Sequence, residues 1–222
     1  MAPGKTLVRR AYDASWGRLF ASVYDRMLAD SEAAGMRDER AALLALASGR
    51  TLELGAGTGL NLEHYPAAVD ELVLTEPFEP MARQLRARLE QSGRAGAVIE
   101  ASAVSLPFED DSFDTVVATL VLCSVDDVPA ALREVSRVLR PGGRLLFIEH
   151  VRSAEPGVAR WQDRLERPWR FVGHGCRCNR DTVAAIAASP LVLGDVTHGL
   201  LPKSPAIVAP MATGSAARPD PG

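Results

Sequence analysis

The sequence is short of several things, and each shortage excludes a class of protein. Aromatic residues make up 5% of 222 positions, too few for a platform that stacks nucleic-acid bases. The formal net charge of −3 argues against a general nucleic-acid binder. Cysteine occurs three times, an odd number that fits a reducing compartment better than a disulfide framework. No apolar run approaches the roughly 18 residues of a membrane span, and the N-terminus lacks a charged-then-apolar export signal. What remains is a mixed-charge chain, 47% hydrophobic, long enough to bury a real core as one large α/β domain. The expectation is a soluble, cytoplasmic protein. It has no transmembrane segment, though peripheral membrane contact stays open, and its oligomeric state is not set by the sequence.

Glycine, by contrast, is concentrated where it matters. Thr51-Leu52-Glu53-Leu54 reads as a buried parallel strand, and Gly55-Ala56-Gly57-Thr58-Gly59 then turns the chain toward a helix. A helix start offers unpaired N–H groups to a polar ligand. A dinucleotide fingerprint needs G-x-G-x-x-G, and Leu60 stands where its third glycine should be. Glu53, two residues before Gly55, would repel a pyrophosphate but suits a ligand carrying an ammonium and a sulfonium. The next strand, Leu72 to Thr75, ends at Glu76, 21 residues past Gly55, a spacing at which an acid accepts both hydroxyls of a ribose. The bland alternative is an ordinary glycine-rich turn.

The rest of the chain alternates. Residues 1 to about 12, with Arg9 and Arg10, read as a loose arm. Trp16, Leu19, Phe20, Val23, Tyr24 and Met27 predict an amphipathic helix over Ser15 to Leu28, and a second helix follows from about Arg37 to Ala47. Asn61 to His64 is expected to continue a crossover helix that Pro66 ends. A helix over Glu79 to Ser92, a strand over Ala97 to Glu100, a strand from Asp114 to Ala118 and a helix capped by Asp126-Asp127 come next. The Pro141-Gly142-Gly143 turn leads into a strand ending at Glu149, Asn179 is expected to cap a helix to Ser189, and Leu191–Thr197 and Ala206–Ala209 close the sheet as an antiparallel pair. The tail from Thr213 reads as disordered.

The acid-x-Gly-x-Gly-x-Gly run followed by a strand and an acid resembles class I S-adenosyl-L-methionine (SAM) methyltransferases. Leu106-Pro107-Phe108, Ser112-Phe113-Asp114 and the Leu139-Arg140-Pro141-Gly142-Gly143 turn strengthen the likeness. It implies a Rossmann-like, doubly wound, mostly parallel seven-stranded sheet with a closing antiparallel pair, and SAM as the cofactor. It implies cofactor contacts at Glu53, Gly55, Ala56, Gly57, Gly59, Glu76, Pro77, Ser102, Ala103 and Thr119. The family's adenine-binding acid falls on Ser102, a weaker acceptor. Expected boundaries are an arm and helical lid over 1–48, the SAM-binding domain over 49–212 with a substrate-side insert at 151–178, and a tail over 213–222.

A narrower likeness lies on the acceptor side. Thr119 to Val125, Glu149-His150-Val151, Trp161-Gln162, Pro168-Trp169, Gly175-Cys176 and Asn179-Arg180-Asp181-Thr182 are similar to the methyltransferase-like thiol methyltransferases. That branch implies methyl transfer to a small thiol. Quinones, phospholipid headgroups and secondary metabolites are the competing acceptors, and a SAM-fold protein without catalysis is the non-enzyme alternative. An NAD-dependent oxidoreductase is disfavoured by position 60 and by the lack of a Tyr-x-x-x-Lys pair. His150 is the candidate to take a thiol proton; a structural histidine is the alternative. Trp161 and Trp169 could cover an apolar acceptor or simply anchor a core. Arg160, Arg164, Arg167 and Arg170 read as a solvated face. His174-Gly-Cys176-Arg-Cys178 lacks a second ligand pair with zinc-like spacing, so no metal is expected.

Overall fold

A computed structural model describes residues 7–220. Seven strands form one sheet in the order β3-β2-β1-β4-β5-β7-β6. They are β1 Gly49–Leu54, β2 Val69–Thr75, β3 Ala97–Ile99, β4 Phe113–Thr119, β5 Leu139–His150, β6 Val192–Leu200 and β7 Pro210–Ala217. The first five run parallel, while β7 is antiparallel to both β5 and β6. Helices α1 Leu7–Tyr12, α2 Arg18–Ser31 and α3 Arg37–Leu44 precede the sheet. Single wide π turns at Asp13–Gly17 and Glu32–Met36 join these three, the second bent at Gly35 (φ 133°). Helices α4 Glu79–Ser92, α5 Val128–Val138, α6 Pro156–Val172 and α7 Thr182–Ala187 follow in the chain.

The central strands read as unbroken apolar runs because both sheet faces are covered. Side chains alternate across the pleat. Leu145 and Phe147 join Val116, Ala118 and the α5 residues Leu132 and Val135 on one face. Leu146 and Ile148 join Val117 and residues of α3 and α4, Leu44 and Leu85, on the other. Helix α5 is started by Asp127, whose carboxylate accepts the Ala130 N–H at 2.9 Å. Such a cap contributes about 1 kcal/mol.

Five expectations need correction. Leu7–Tyr12 is helical rather than a loose arm, and residues 1–6 of that arm lie outside the described ones. No α-helix follows the glycine loop: only a single 3₁₀ turn, Leu62–His64, forms before Pro66. Buried side-chain bonds from Asn61 and Tyr65 to Glu53 take over the path of the chain there. Asn179 does not cap a helix; it donates to Asp163, while Asp181 caps α7 by accepting the Ala184 N–H. Finally, Ala206–Ala209 is not a strand, and the run from Thr213 to Ala217 belongs to β7, inserted between β5 and β6. Its small residues suit that place, since a Cβ on Gly214 would lie 2.7 Å from the Asp195 carbonyl oxygen and 2.9 Å from the Phe147 ring. Among the described residues no helix is long and apolar enough to cross a membrane.

Candidate active site

The carboxyl ends of β1, β2, β4 and β5 open into a cavity of about 470 Å³ roofed by α2. That volume is typical of cofactor and small-molecule sites. One end is polar. Gly55 and Gly57 stand there with φ of 51° and 58°, in the left-handed region that glycine occupies without strain. A Cβ on Gly57 would meet nothing closer than the Gly55 carbonyl oxygen at 4.0 Å, so a side chain there would fill the cavity instead of clashing with protein. The Glu76 carboxylate accepts the Gly57 N–H at 3.0 Å and the Phe78 N–H at 2.8 Å, tying the glycine loop to the start of α4. Burial raises its pKa against the pull of those two bonds. Pro77, Ser102, Ala103 and Thr119 complete this end. Ser102 is exposed, and its hydroxyl accepts weakly from the Val104 N–H at 3.4 Å.

Three of the expected cofactor residues stand behind the wall instead of in it. Glu53 does not line the cavity: Asn61 Nδ2 donates to it at 2.9 Å and the Tyr65 hydroxyl at 2.7 Å. Burial pushes its carboxyl up to about 7. Asn61 also donates to Thr119 Oγ1 at 3.1 Å and accepts from Arg40 at 2.9 Å, so Glu53 organises the turn beneath the loop. Ala56 donates its N–H to the Thr75 carbonyl at 2.8 Å. Gly59 is there for packing, since a Cβ would lie 2.8 Å from Leu85 and 2.9 Å from Leu62.

The roof is fastened by a residue the sequence did not single out. Asp25 on α2 accepts from the Thr58 hydroxyl at 2.5 Å and from Arg88 at 2.5 Å. A lone acid on the polar face of an amphipathic helix gives no local signal of such a contact. Phe20 and Tyr24 turn inward from the same helix and line the cavity.

The other end is mostly apolar, and its polar groups are buried side chains. His150, at the end of β5, is 8% exposed, and its Nδ1 has no hydrogen-bond partner. Burial lowers its pKa to about 4, against the nearby backbone of Val208 and Pro210, so the imidazole is neutral at ordinary pH. Its neighbour Glu149 accepts the N–H groups of Val121, Leu122 and Cys123 at 2.9, 2.7 and 3.1 Å. Desolvation nevertheless pushes that carboxyl up to about 7. Arg180 donates to the carbonyls of Leu122 and Val125 from the opposite side. The loop after β4 is therefore held by a buried carboxylate and a half-buried guanidinium. An acid ending an otherwise apolar strand was the available clue to Glu149. Trp169 lines the cavity, whereas Trp161 is 55% exposed with Arg164 over its ring. Arg160, Arg164, Arg167 and Arg170 are all exposed. Among the described residues no group of three or more His, Cys, Asp or Glu is arranged to hold a metal ion.

Comparison with known proteins agrees with this geometry. A methyltransferase domain family matches residues 52–147. Thiol S-methyltransferase TMT1A of Homo sapiens is 34% identical over 172 residues, covering 75% of this chain and 70% of the relative. The chain belongs to the class I SAM-dependent methyltransferases. The methyltransferase is also 40% identical over 144 residues to thiol S-methyltransferase TMT1B of Homo sapiens, covering 61% of this chain and 58% of that relative. It thus spans little more than half of TMT1B. A solved SAM-dependent methyltransferase of Thermotoga maritima, described as a possible histamine N-methyltransferase, superposes with a TM-score of 0.68. At 20% identity, over 91% of this chain and 98% of that one, it shows the fold.

SAM is the cofactor of the methyltransferase. The polar end of the cavity fits it: the left-handed Gly57 leaves open space above the loop, and each Glu76 oxygen accepts one hydrogen bond and keeps a lone pair.

Proposed function

We propose that the methyltransferase moves a methyl group from SAM to the sulfur of a small apolar thiol. In this reading Gly55, Gly57 and Thr119 hold the methionine portion, Glu76 the ribose, and Pro77, Ser102 and Ala103 the adenine. SAM supplies an activated methyl on a sulfonium. The protein has to bring acceptor sulfur, methyl and cofactor sulfur into line, which is orientation work. The observation that carries the reading is His150, a neutral, buried imidazole among the residues that line the same cavity.

A base with a pKa of about 4 is too weak to strip a free thiol before reaction. It can accept a hydrogen bond from the acceptor S–H and so aim a sulfur lone pair. As the new C–S bond forms, the sulfur becomes a protonated sulfide, a far stronger acid than imidazolium. The proton then passes to the His150 imidazole late in the reaction. Apolar walls from Phe20, Val121 and Val208 suit an alkyl thiol and keep water away. The names of the relatives TMT1A and TMT1B support a thiol as acceptor.

Calorimetric titration with SAM, followed by an assay of methyl transfer to a small alkyl thiol, tests the proposal. Binding with turnover is expected. Binding without turnover on thiols, but with turnover on a quinone, phenol or phospholipid headgroup, would overturn the acceptor and keep the enzyme class.

A further inference from the structure

Methyl transfer as described leaves two buried thiols without a task. Cys123 and Cys176 are 1% and 8% exposed, and both line the cavity. They come from separate stretches that are locked side by side. The Arg177 N–H donates to the Cys123 carbonyl at 2.9 Å. One residue before Cys176, a Cβ on Gly175 would lie 3.3 Å from the Ser124 carbonyl oxygen. Each thiol is the strongest influence on the other's ionisation, Cys123 being pushed up and Cys176 drawn down. Glu149 and Arg180 both bond the backbone of the Cys123 loop and so fix its position beside Cys176. Cys178 provides an internal contrast: it is buried but does not line the cavity, and burial pushes its thiol up to about 12.

We propose that Cys123 and Cys176 are a dithiol site that hydrogen peroxide converts to a disulfide, closing the acceptor end of the cavity to methyl transfer. Cys176 reacts first, because its neighbour Cys123 favours its thiolate while the Cys123 thiol is held protonated. Its sulfur attacks one peroxide oxygen, the O–O bond breaks, and hydroxide leaves and takes up the Cys176 proton as water. The product is a sulfenic acid. The Cys123 sulfur then attacks the Cys176 sulfur, the S–O bond breaks, and a second water leaves with the Cys123 proton. Two thiols and one peroxide become one disulfide and two waters. A thiol acceptor reverses the step by exchange, two of its molecules leaving as their own disulfide. The acceptor would thereby reset the site that admits it.

The dithiol stands by itself; only the reset by acceptor rests on the thiol reading. Enzyme treated with hydrogen peroxide is examined in three ways, each beside a sample reduced with tris(2-carboxyethyl)phosphine. A peptide map without reductant should show a Cys123–Cys176 cross-link. SAM titration should change by no more than about twofold. The initial rate of transfer to a small alkyl thiol should fall about tenfold, with a lag that shortens as thiol concentration rises and that the phosphine abolishes. No cross-link, or one through Cys178, overturns the dithiol. A cross-link with an undiminished rate, or with SAM binding lost as well, overturns closure of the acceptor end. Should neither sample turn over any thiol, the thiol reading fails by itself. The map then still decides the dithiol, and expulsion of a bound apolar dye on oxidation decides the closure. Cys176→Ser should lose both cross-link and lag relative to its own untreated rate; if it does not fold, the map of the natural protein suffices.

Discussion

At the cofactor end of the cavity the ligand meets glycine backbone and one carboxylate from two neighbouring βα turns; at the acceptor end it meets side chains brought from α2, β5, α6 and the β6–β7 connection. The first arrangement is local, because the glycine loop and Glu76 follow adjacent parallel strands and are joined by a hydrogen bond. The second exists only when the whole sheet is assembled. Under the proposed function the consequence is a division of labour: backbone would hold the cofactor, and exchangeable side chains would set what is methylated.

The largest predicted effect breaks the cofactor end alone. Gly57→Val strains a left-handed position by about 1–2 kcal/mol and puts a branched side chain into the cavity. SAM affinity measured by titration should drop at least about a hundredfold, with circular dichroism unchanged. Binding within tenfold of the natural protein would mean the loop is not the cradle.

His150→Ala should break the acceptor end alone. Thiol transfer at saturating SAM should slow by about a hundredfold, the scale of a lost proton acceptor, with SAM affinity changed less than about threefold. Because the His150 pKa is already near 4, the rate of the natural enzyme should show no histidine inflection between about pH 5 and 8. Parallel losses of binding and rate would make His150 structural.

A pH experiment places the two ends side by side. Burial raises Glu53, behind the cofactor loop, and Glu149, behind the acceptor loop, from 4.5 to about 7. Between those values the folded protein binds more protons than the unfolded chain, so stability falls as pH rises from about 4.5 to about 7. Each carboxyl then costs on the order of 3 kcal/mol at pH 8. Thermal melts from pH 5 to 8 should show the decline, and Glu53→Gln or Glu149→Gln should each remove part of it. Only Glu149→Gln, which leaves one of three N–H groups poorly held, should also slow transfer. An unchanged slope in both variants would show that neither carboxyl titrates there.

The smallest effect should come from the roof. Asp25→Asn weakens half-exposed contacts to Arg88 and Thr58, worth up to about 1 kcal/mol. SAM affinity should fall about threefold, mainly through faster release measured by stopped flow.

Legibility in the sequence follows the same division. The strand–glycine–strand–acid run is contiguous, and it announced β1, Glu76 and the fold class; α4 was legible to the residue from Glu79 to Ser92. What spacing could not reveal is where a side chain points. Glu53 matched the motif, yet its carboxylate faces Asn61 and Tyr65. Asp25 and Arg180 act through contacts 33 and 55 or more positions away, invisible to any local pattern. The run Thr213-Gly214-Ser215-Ala216-Ala217 was misread because small residues signal weak strand propensity. In place, that smallness is what lets β7 fit between two strands, with Gly214 against Phe147.

That inserted strand also sets an order of events during synthesis. Strand β6 pairs with β7 alone, and β7 is made after it. A growing chain therefore carries β6 with no partner, and β5 with one open edge, until β7 has left the ribosome and threaded between them. Open strand edges recruit other chains, and nascent intermediates of this size are prone to aggregate. The edges of β5 and β6 are thus covered last, after most of the cofactor end has been made and before the acceptor end is complete.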